Sequence, residues 1–342
     1  MSFLVLGGTA WLGREVVASA LASGHDVTVL ARGESGPLPA GATAVRADRA
    51  DLSVYDRVAD RDWDAVIDVA RQPSHVRGAL SRLGDRAASW VFVSSASVYA
   101  AHDRPGADEG DALLPPHDGD AEDQEAYGER KVSCEAAVLE AVGERALVAR
   151  SGLIAGPGDH TDRTGYWPLR FAHPASPDGA VLAPDSPLPT QVVDVRDLAA
   201  FLVRCAEQRS AGVANVAGPV RPLEEHLAVA REVAGHRGEV VGVAPEWLER
   251  HGVEPWMGER SLPLWLPLPE YAGFMARSTA VAERLGLRCR PLEETLADTL
   301  EWELRHGPGR PRRAGLSPSD EVALIAEARD GSAGRPSPDG QS

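Results

Sequence analysis

Apolar and polar positions alternate along the first hundred residues in a recurring order. Ser2-Phe3-Leu4-Val5-Leu6 is a short apolar run, Arg14 to Ser23 is amphipathic, and Asp26-Val27-Thr28-Val29-Leu30 is a second apolar run. Short runs that are apolar on both faces read as buried strands, and a helical period between them reads as a crossover helix. Further strands are predicted at Thr43-Ala44-Val45-Arg46-Ala47, Asp64-Ala65-Val66-Ile67-Asp68-Val69-Ala70 and Trp90-Val91-Phe92-Val93. This order predicts an α/β fold with a doubly wound parallel sheet. The alternation dissolves between Pro157 and Pro189. It returns with a strand at Gln191-Val192-Val193, a helix from Asp197 to Glu207, a strand from Gly212 to Ala217 and a helix near Leu223 to Ala234. A loop-rich stretch, Pro245 to Phe274, comes next. The predicted sheet domain is therefore 1-165 with about 190-217 and 275-290, and a smaller interleaved substrate-binding domain takes about 166-189, 218-274 and 291-305. Residues 306-342 read as a C-terminal extension, with a helix from Ser317 to Arg329 capped by Ser317 and a disordered end from Asp330 to Ser342.

The first strand breaks into Gly7-Gly8-Thr9-Ala10-Trp11-Leu12-Gly13 before the first helix. Strand, glycine turn and helix in this order are the setting in which a Rossmann-type loop holds a pyrophosphate against a helix N-terminus; an ordinary strand-helix turn is the competing reading. Gly7 is expected to make the tight turn and Gly13 to let the helix pack close. Ala10 stands where a close-approach glycine is usual, and Thr9, Trp11 and Leu12 complete the candidate cofactor loop. At the end of the second strand, an acid binds the 2′-hydroxyl of NAD, whereas arginine accommodates the 2′-phosphate of NADP. Ala31-Arg32 offers the cation, so NADP is the expected cofactor, with NAD as the alternative. Asp48 and Arg49 after the third strand, and Val69, Ala70 and Arg71 at the end of the fourth, are the other candidate cofactor contacts.

Lys131 is the only lysine among 35 basic residues, and it follows Tyr127 by four positions in Tyr127-Gly128-Glu129-Arg130-Lys131. An ammonium is a compact point charge and a guanidinium a broad fork, so a lone lysine in an arginine-rich chain marks a site that arginine does not fit. On a helix the two side chains share a face. A cation beside a phenol stabilises the phenolate, as a general acid/base requires. A solvated helix face is the competing reading.

These motifs, with Ser94-Ser95-Ala96-Ser97-Val98-Tyr99 and Val192-Val193-Asp194-Val195-Arg196-Asp197-Leu198-Ala199, resemble the extended short-chain dehydrogenases/reductases of the NAD-dependent epimerase/dehydratase type, from Met1 to about Arg305. The resemblance implies that Ser95 binds the reacting oxygen, Tyr127 is the acid/base, and Lys131 holds the nicotinamide ribose and lowers the tyrosine pKa. Ser94, also a candidate cofactor contact, and Ser97, a candidate substrate contact, compete with Ser95. In the nucleotide-sugar branch an asparagine touches the substrate diphosphate. Here Arg150-Ser151-Gly152-Leu153-Ile154-Ala155-Gly156-Pro157 has Leu153 in its place, and leucine cannot donate to a phosphate. The glycine loop resembles a bacterial reductase-like subgroup, and its Gly-Gly-Thr opening also resembles chloroplast stem-loop-binding proteins, which handle RNA.

Composition weighs these readings. A formal charge of -16 over 342 residues opposes binding to a phosphate backbone, so nucleic acid is not an expected partner. Cys134, Cys205 and Cys289 are widely spaced without a CxxC, so buried thiols are expected rather than disulfides or zinc. No apolar run reaches membrane-spanning length and no basic leader precedes the first strand; a cytoplasmic protein is expected, with a homodimer as one possibility. The acidic, proline-broken stretch from Asp103 to Glu125 is expected to arch over the active site. Arg163, Tyr166, Trp167 and Trp265, with Arg260 as a further anion holder, are candidate substrate contacts, and core packing is the competing role for the aromatics. The expected activity is NADP(H)-dependent hydride transfer at a carbonyl or carbinol carbon of a small molecule. A sugar-nucleotide epimerase or dehydratase that retains NAD(P) is the alternative, and a non-catalytic dinucleotide- or RNA-binding protein a third class.

Overall fold

Phe3 and Val5 face one side of the first strand and Leu4 and Leu6 the other, and both sets are fully buried. That alternation creates two apolar layers. In the computed structural model, which describes residues 1–119 and 126–333, Ser2–Leu6 is β1, Trp11–Ala22 α1, Asp26–Ala31 β2 and Thr43–Arg46 β3. Ala65–Asp68 is β4, Pro73–Leu83 α2, Trp90–Ser95 β5, Tyr127–Val142 α3 and Ala146–Ser151 β6. With the strand Gly212–Val216 they form a seven-stranded sheet in the order Gly212–Val216, β6, β5, β4, β1, β2, β3. Every pairing in it is parallel. Val16 and Val17 of α1 and Leu198 and Leu202 of the helix Val195–Gln208 cover the Phe3 face. Val76 and Leu80 of α2 and Val138 of α3 cover the Leu4 face.

The winding direction reverses between β1 and β4. Leu6 lies opposite Leu30 on one side and Asp68 on the other, so the carboxyl ends of these strands share one edge. Ligands of open parallel sheets bind at such a switch point.

The chain divides into two units. The sheet unit is Met1–Ile154, Gln191–Pro219 and Ala272–Arg290; the second is Ala155–Thr190, Val220–Tyr271 and Pro291–Ser342. The first segment of the sheet unit thus ends at Ile154, not near 165. Within the second unit, strands Val181–Pro184 and Val240–Val243 pair in parallel, with helices Tyr166–Ala172, Leu223–Val233 and Leu292–His306. The stretch from Pro157 to Pro189, where the alternation fades, nevertheless holds one of these helices and one of these strands.

The C-terminal segment is not a separate extension. Its helix Pro318–Ala333 places the buried Glu321 carboxylate on the Leu182 amide, 3.0 Å, and on Arg170, 3.0 Å. Ser317 accepts from the Asp320 amide at 3.1 Å, the predicted cap. Residues 334–342 of the end expected to be disordered, and 120–125 of the acidic stretch, lie outside the described residues. No described helix is long and apolar enough to cross a membrane.

Candidate active site

The glycine turn follows from two contacts. Gly7 has φ +98, which an L side chain rarely adopts, and a Cβ on Gly13 would lie 2.3 Å from the Gly7 carbonyl oxygen. Helix α1 can therefore start directly above the turn. It begins at Trp11 with Ala10 as N-cap, no side-chain cap and no acid in the first turn. A helix N-terminus with those properties favours an anion, and the residues present fit a dinucleotide diphosphate. Thr9 is buried beneath the turn, Ala10 is exposed, and Trp11 and Leu12 are half-buried. Val69 packs against Gly7, its Cγ2 2.7 Å from where a Cβ would be.

The serine loop and α3 meet through Gly128. A Cβ there would lie 2.2 Å from the Ser97 carbonyl, so only glycine lets the first turn of α3, with Tyr127, come this close to the serines. Ser95 accepts from the Ser97 amide and donates to the Ser97 hydroxyl, both at 3.1 Å. Ser94 points elsewhere: it is buried and donates to Glu135 at 2.5 Å. The Ser94 hydroxyl is thus engaged with α3, which leaves Ser95 and Ser97 as the candidates on this loop.

Lys131 is 2% exposed, and its ammonium donates to the Ala70 carbonyl at 2.7 Å and the Val93 carbonyl at 2.5 Å. It also lies 4.5 Å from the centre of the Phe92 ring. Two carbonyls and an aromatic face compensate a buried point charge, and they clasp the ends of β4 and β5.

Beneath the serine loop lies a polar network that reading the sequence missed. Arg150 of β6 pairs with Glu135 of α3 at 2.7 Å, both nearly inaccessible, and donates to the Tyr99 hydroxyl at 3.1 Å. Tyr99 donates to Asn215 at 2.6 Å, and Arg277 stacks 3.6 Å from the centre of its ring. Burial, then the Arg277 charge, holds the nearby His102 down at about 4. Arg277 and Gly273 also fasten the loop expected to arch over the site. The Gly106 amide bonds Ala276 and the Gly273 amide bonds His102, each at 2.6 Å, so its described part is tied to the sheet unit.

Other predicted residues are placed differently from expectation. Arg49 is buried with its guanidinium bound bidentately to Asp68 at 2.8 and 3.0 Å and to the Tyr55 hydroxyl at 2.9 Å, so it has no fork left for a cofactor. Asp48 is exposed and accepts from the Ala50 amide at 3.0 Å, and Arg71 is exposed. Arg32 is exposed and pairs with Glu34 at 3.3 Å, an acid only two residues beyond it. Arg46 and Arg14 flank the same loop: a Cβ at Gly33 would lie 3.4 Å from the Arg46 Nε, and one at Gly36 would lie 3.1 Å from the Arg14 Nη1.

In the second unit, Tyr166, Trp167 and Trp265 are 2%, 0% and 0% exposed, and Trp167 donates to the Pro263 carbonyl at 2.8 Å. These are core residues, because an apolar interior of this size needs large rings, and the substrate roles expected of them are corrected accordingly. Arg163 lies 4.6 Å from the centre of the Trp256 ring and bonds Thr161 at 3.1 Å; Arg260 is paired with Asp320. Both expected anion holders are thus engaged within the unit. Leu153 is buried in the short strand Leu153–Ala155. Cys134 and Cys205 are buried free thiols and Cys289 is half-buried. Among the described residues no group of His, Cys, Asp and Glu could hold a metal.

Comparison with known proteins agrees with the resemblance read from the motifs. Residues 3–88 match the NAD dependent epimerase/dehydratase family. No curated protein matches the chain. Among solved structures, a candidate epimerase from Burkholderia cenocepacia superposes with TM-score 0.67 at 24% identity, covering 90% of this chain and 98% of that one. UDP-glucose 4-epimerase from Thermotoga maritima, solved with UDP-glucose, gives 0.64 at 18%, covering 90% and 99%. UDP-glucose 4-epimerase from Bifidobacterium longum, in complex with NAD+ and UDP, gives 0.62 at 17%, covering 91% and 100%. At these identities the likeness is one of fold.

Proposed function

We propose, from a chain whose residues 3–88 carry the NAD dependent epimerase/dehydratase match, that the protein is an NAD(P)-dependent enzyme that returns a hydride to the molecule it was taken from, as an epimerase or dehydratase does. The observation that carries this reading is the family match over residues 3–88, and the close approach of the Gly128 turn to the serine loop, with the buried Lys131 clasp, supports a site there. When bound, the dinucleotide supplies the hydride acceptor. The Ser95 hydroxyl holds the reacting oxygen, and the Tyr127 hydroxyl exchanges a proton with it. Lys131 would supply positive charge near that exchange, and its bonds to the Ala70 and Val93 carbonyls hold together β4 and β5 at the edge that would receive the dinucleotide.

A stand-alone NADP-dependent oxidoreductase is the second reading, placed first by the sequence and favoured by two features. Leu153 replaces the amide expected for a nucleotide sugar, and Arg14, Arg32 and Arg46 offer cations for a 2′-phosphate. Glu34 opposes the second feature by pairing with Arg32. The family match and the epimerase neighbours support the first reading better.

The test is mass and absorbance analysis of the purified protein, followed by thermal-shift titration with NAD(H), NADP(H) and UDP-, GDP- and TDP-sugars. Retained dinucleotide, with stabilisation of about 2.7 kcal/mol by one sugar nucleotide at a hundred times its Kd, is the expected result. An empty protein that binds NADPH reversibly and ignores every sugar nucleotide shifts the assignment to the oxidoreductase. Binding of neither cofactor overturns both.

A further inference from the structure

Asp68 is 0% exposed at the end of β4, and both of its oxygens accept hydrogen bonds. One accepts from Arg49 at 2.8 Å and from the Ala70 amide at 2.9 Å, the other from Arg49 at 3.0 Å. Arg49 is held in turn by the Tyr55 hydroxyl at 2.9 Å and donates to the His75 carbonyl at 3.0 Å. The peptide whose amide Asp68 orients is next to the carbonyl that receives Lys131: Ala70 gives its N–H to Asp68 and its C=O to the ammonium. A continuous buried chain therefore runs from Arg49, beside the turn after β3, through Asp68 and Ala70 to the only lysine of the protein.

We propose that Arg49 and Asp68 are positioning residues for Lys131, setting the Ala70 carbonyl so that the ammonium is clasped between β4 and β5 at the dinucleotide edge. The inference rests on the proposed function for what Lys131 does, but not for where it is held. Electrostatics explains the choice of an ion pair. Both partners lie where a lone charge would be costly, and bidentate geometry fixes the carboxylate in a way that an apolar pair of similar volume would not.

A purely structural ion pair would affect stability alone, so the deciding variant must keep stability. Replacing a buried pair by apolar residues of similar volume is often neutral or stabilising, and Arg49→Met with Asp68→Leu is chosen on that ground to remove the bond to the Ala70 amide. Asp68→Asn and Arg49→Lys are the single, conservative companions. Because there is one lysine, acylation by an amine-reactive ester followed by peptide mass spectrometry reports on Lys131 at a single site.

In the folded wild type Lys131 is expected to acylate slowly. In the double variant, with a Tm at or above that of the wild type, it is expected to acylate about tenfold faster and dinucleotide affinity to fall about tenfold, a change equivalent to about 1.4 kcal/mol. Arg49→Lys, which keeps the charge but not the fork, is expected to fall between. A stable double variant that acylates and binds as the wild type does overturns the proposal. Should the two singles prove unstable, the double variant still decides. If the wild type binds no dinucleotide while acylation still follows the Arg49–Asp68 pair, the positioning role stands and the proposed function fails.

Discussion

Gly128 determines how near Tyr127 comes to the serine loop, since a methyl group there would have to displace either the Ser97 carbonyl or the helix. Gly128→Ala is expected to lower stability by about 1–3 kcal/mol in urea unfolding and to reduce turnover by more than the stability loss explains. Tyr127→Phe separates binding from chemistry: dinucleotide titration should be unchanged, while turnover falls about a hundredfold to ten-thousandfold. Lys131→Arg should harm binding and turnover nearly as much as Lys131→Met, because a fork cannot enter a clasp built from two carbonyls 2.7 and 2.5 Å from one nitrogen. Near-normal turnover in the arginine variant would remove the lysine from the site. A residue of the second unit gives a pH prediction. His226 is fully buried, and burial, then the Arg221 charge, lowers its pKa from 6.5 to about 4. The folded state thus binds the proton less well than the unfolded chain. Its contribution is complete above pH 6.5 and is lost as pH falls toward 4, about 3 kcal/mol at about 1.36 kcal/mol per unit. Unfolding followed from pH 7 to 4 should show that limb, and His226→Leu should lack it.

The elements themselves were legible because burial on both faces leaves a plain apolar run. β1, β2 and the strand Gly212–Val216 lie where the hydrophobic pattern puts them, within a residue of the predicted ends. Helix α1 begins three residues earlier than the amphipathic pattern indicates, because Trp11-Leu12-Gly13 reads as part of a turn although the chain is already helical there. What could not be read were partnerships across elements. Glu135 sits on a helix and Arg150 on a strand, and nothing in the local pattern says that each is buried against the other. The same holds for Asp68, which by position alone reads as one more residue of a strand, and for Arg49, which reads as a cofactor contact. The candidate triad rests on spacing and resemblance, and nothing in the local pattern around Gly128 indicates that its missing side chain admits the Ser97 carbonyl. Breaking the α3–β6 pair tests its weight. Glu135→Ala, which also strips Ser94 of its acceptor, is expected to cost about 3–5 kcal/mol in chemical denaturation, since it leaves the Arg150 charge buried alone. A loss below about 1 kcal/mol, the range of exposed pairs, would mean that water reaches the site.

At the scale of the molecule, a net charge of -16 opposes binding to a polyanion, so no RNA binding is expected. Titration with single-stranded RNA in low salt is expected to leave the protein unshifted, and tight salt-dependent binding would reopen that class. Cofactor preference is also a property of the molecule: Arg32→Ala should weaken NADPH by about 1–3 kcal/mol and NADH little, and equal wild-type affinity for the two would exclude a 2′-phosphate site. The sheet unit is drawn from three separate stretches of chain, and one of its two edge strands, Gly212–Val216, pairs with β6 only after the intervening stretch has been made. On a ribosome, some 60 residues added at about 5–20 per second separate the two, so for roughly 3–12 s the nascent sheet carries an open edge on β6. An unpaired edge of buried apolar residues recruits other chains. Synthesis speed across the intervening stretch is therefore expected to govern the yield of folded protein: slowing translation there should increase aggregation, and stopping the chain just after Ser151 should leave an insoluble product.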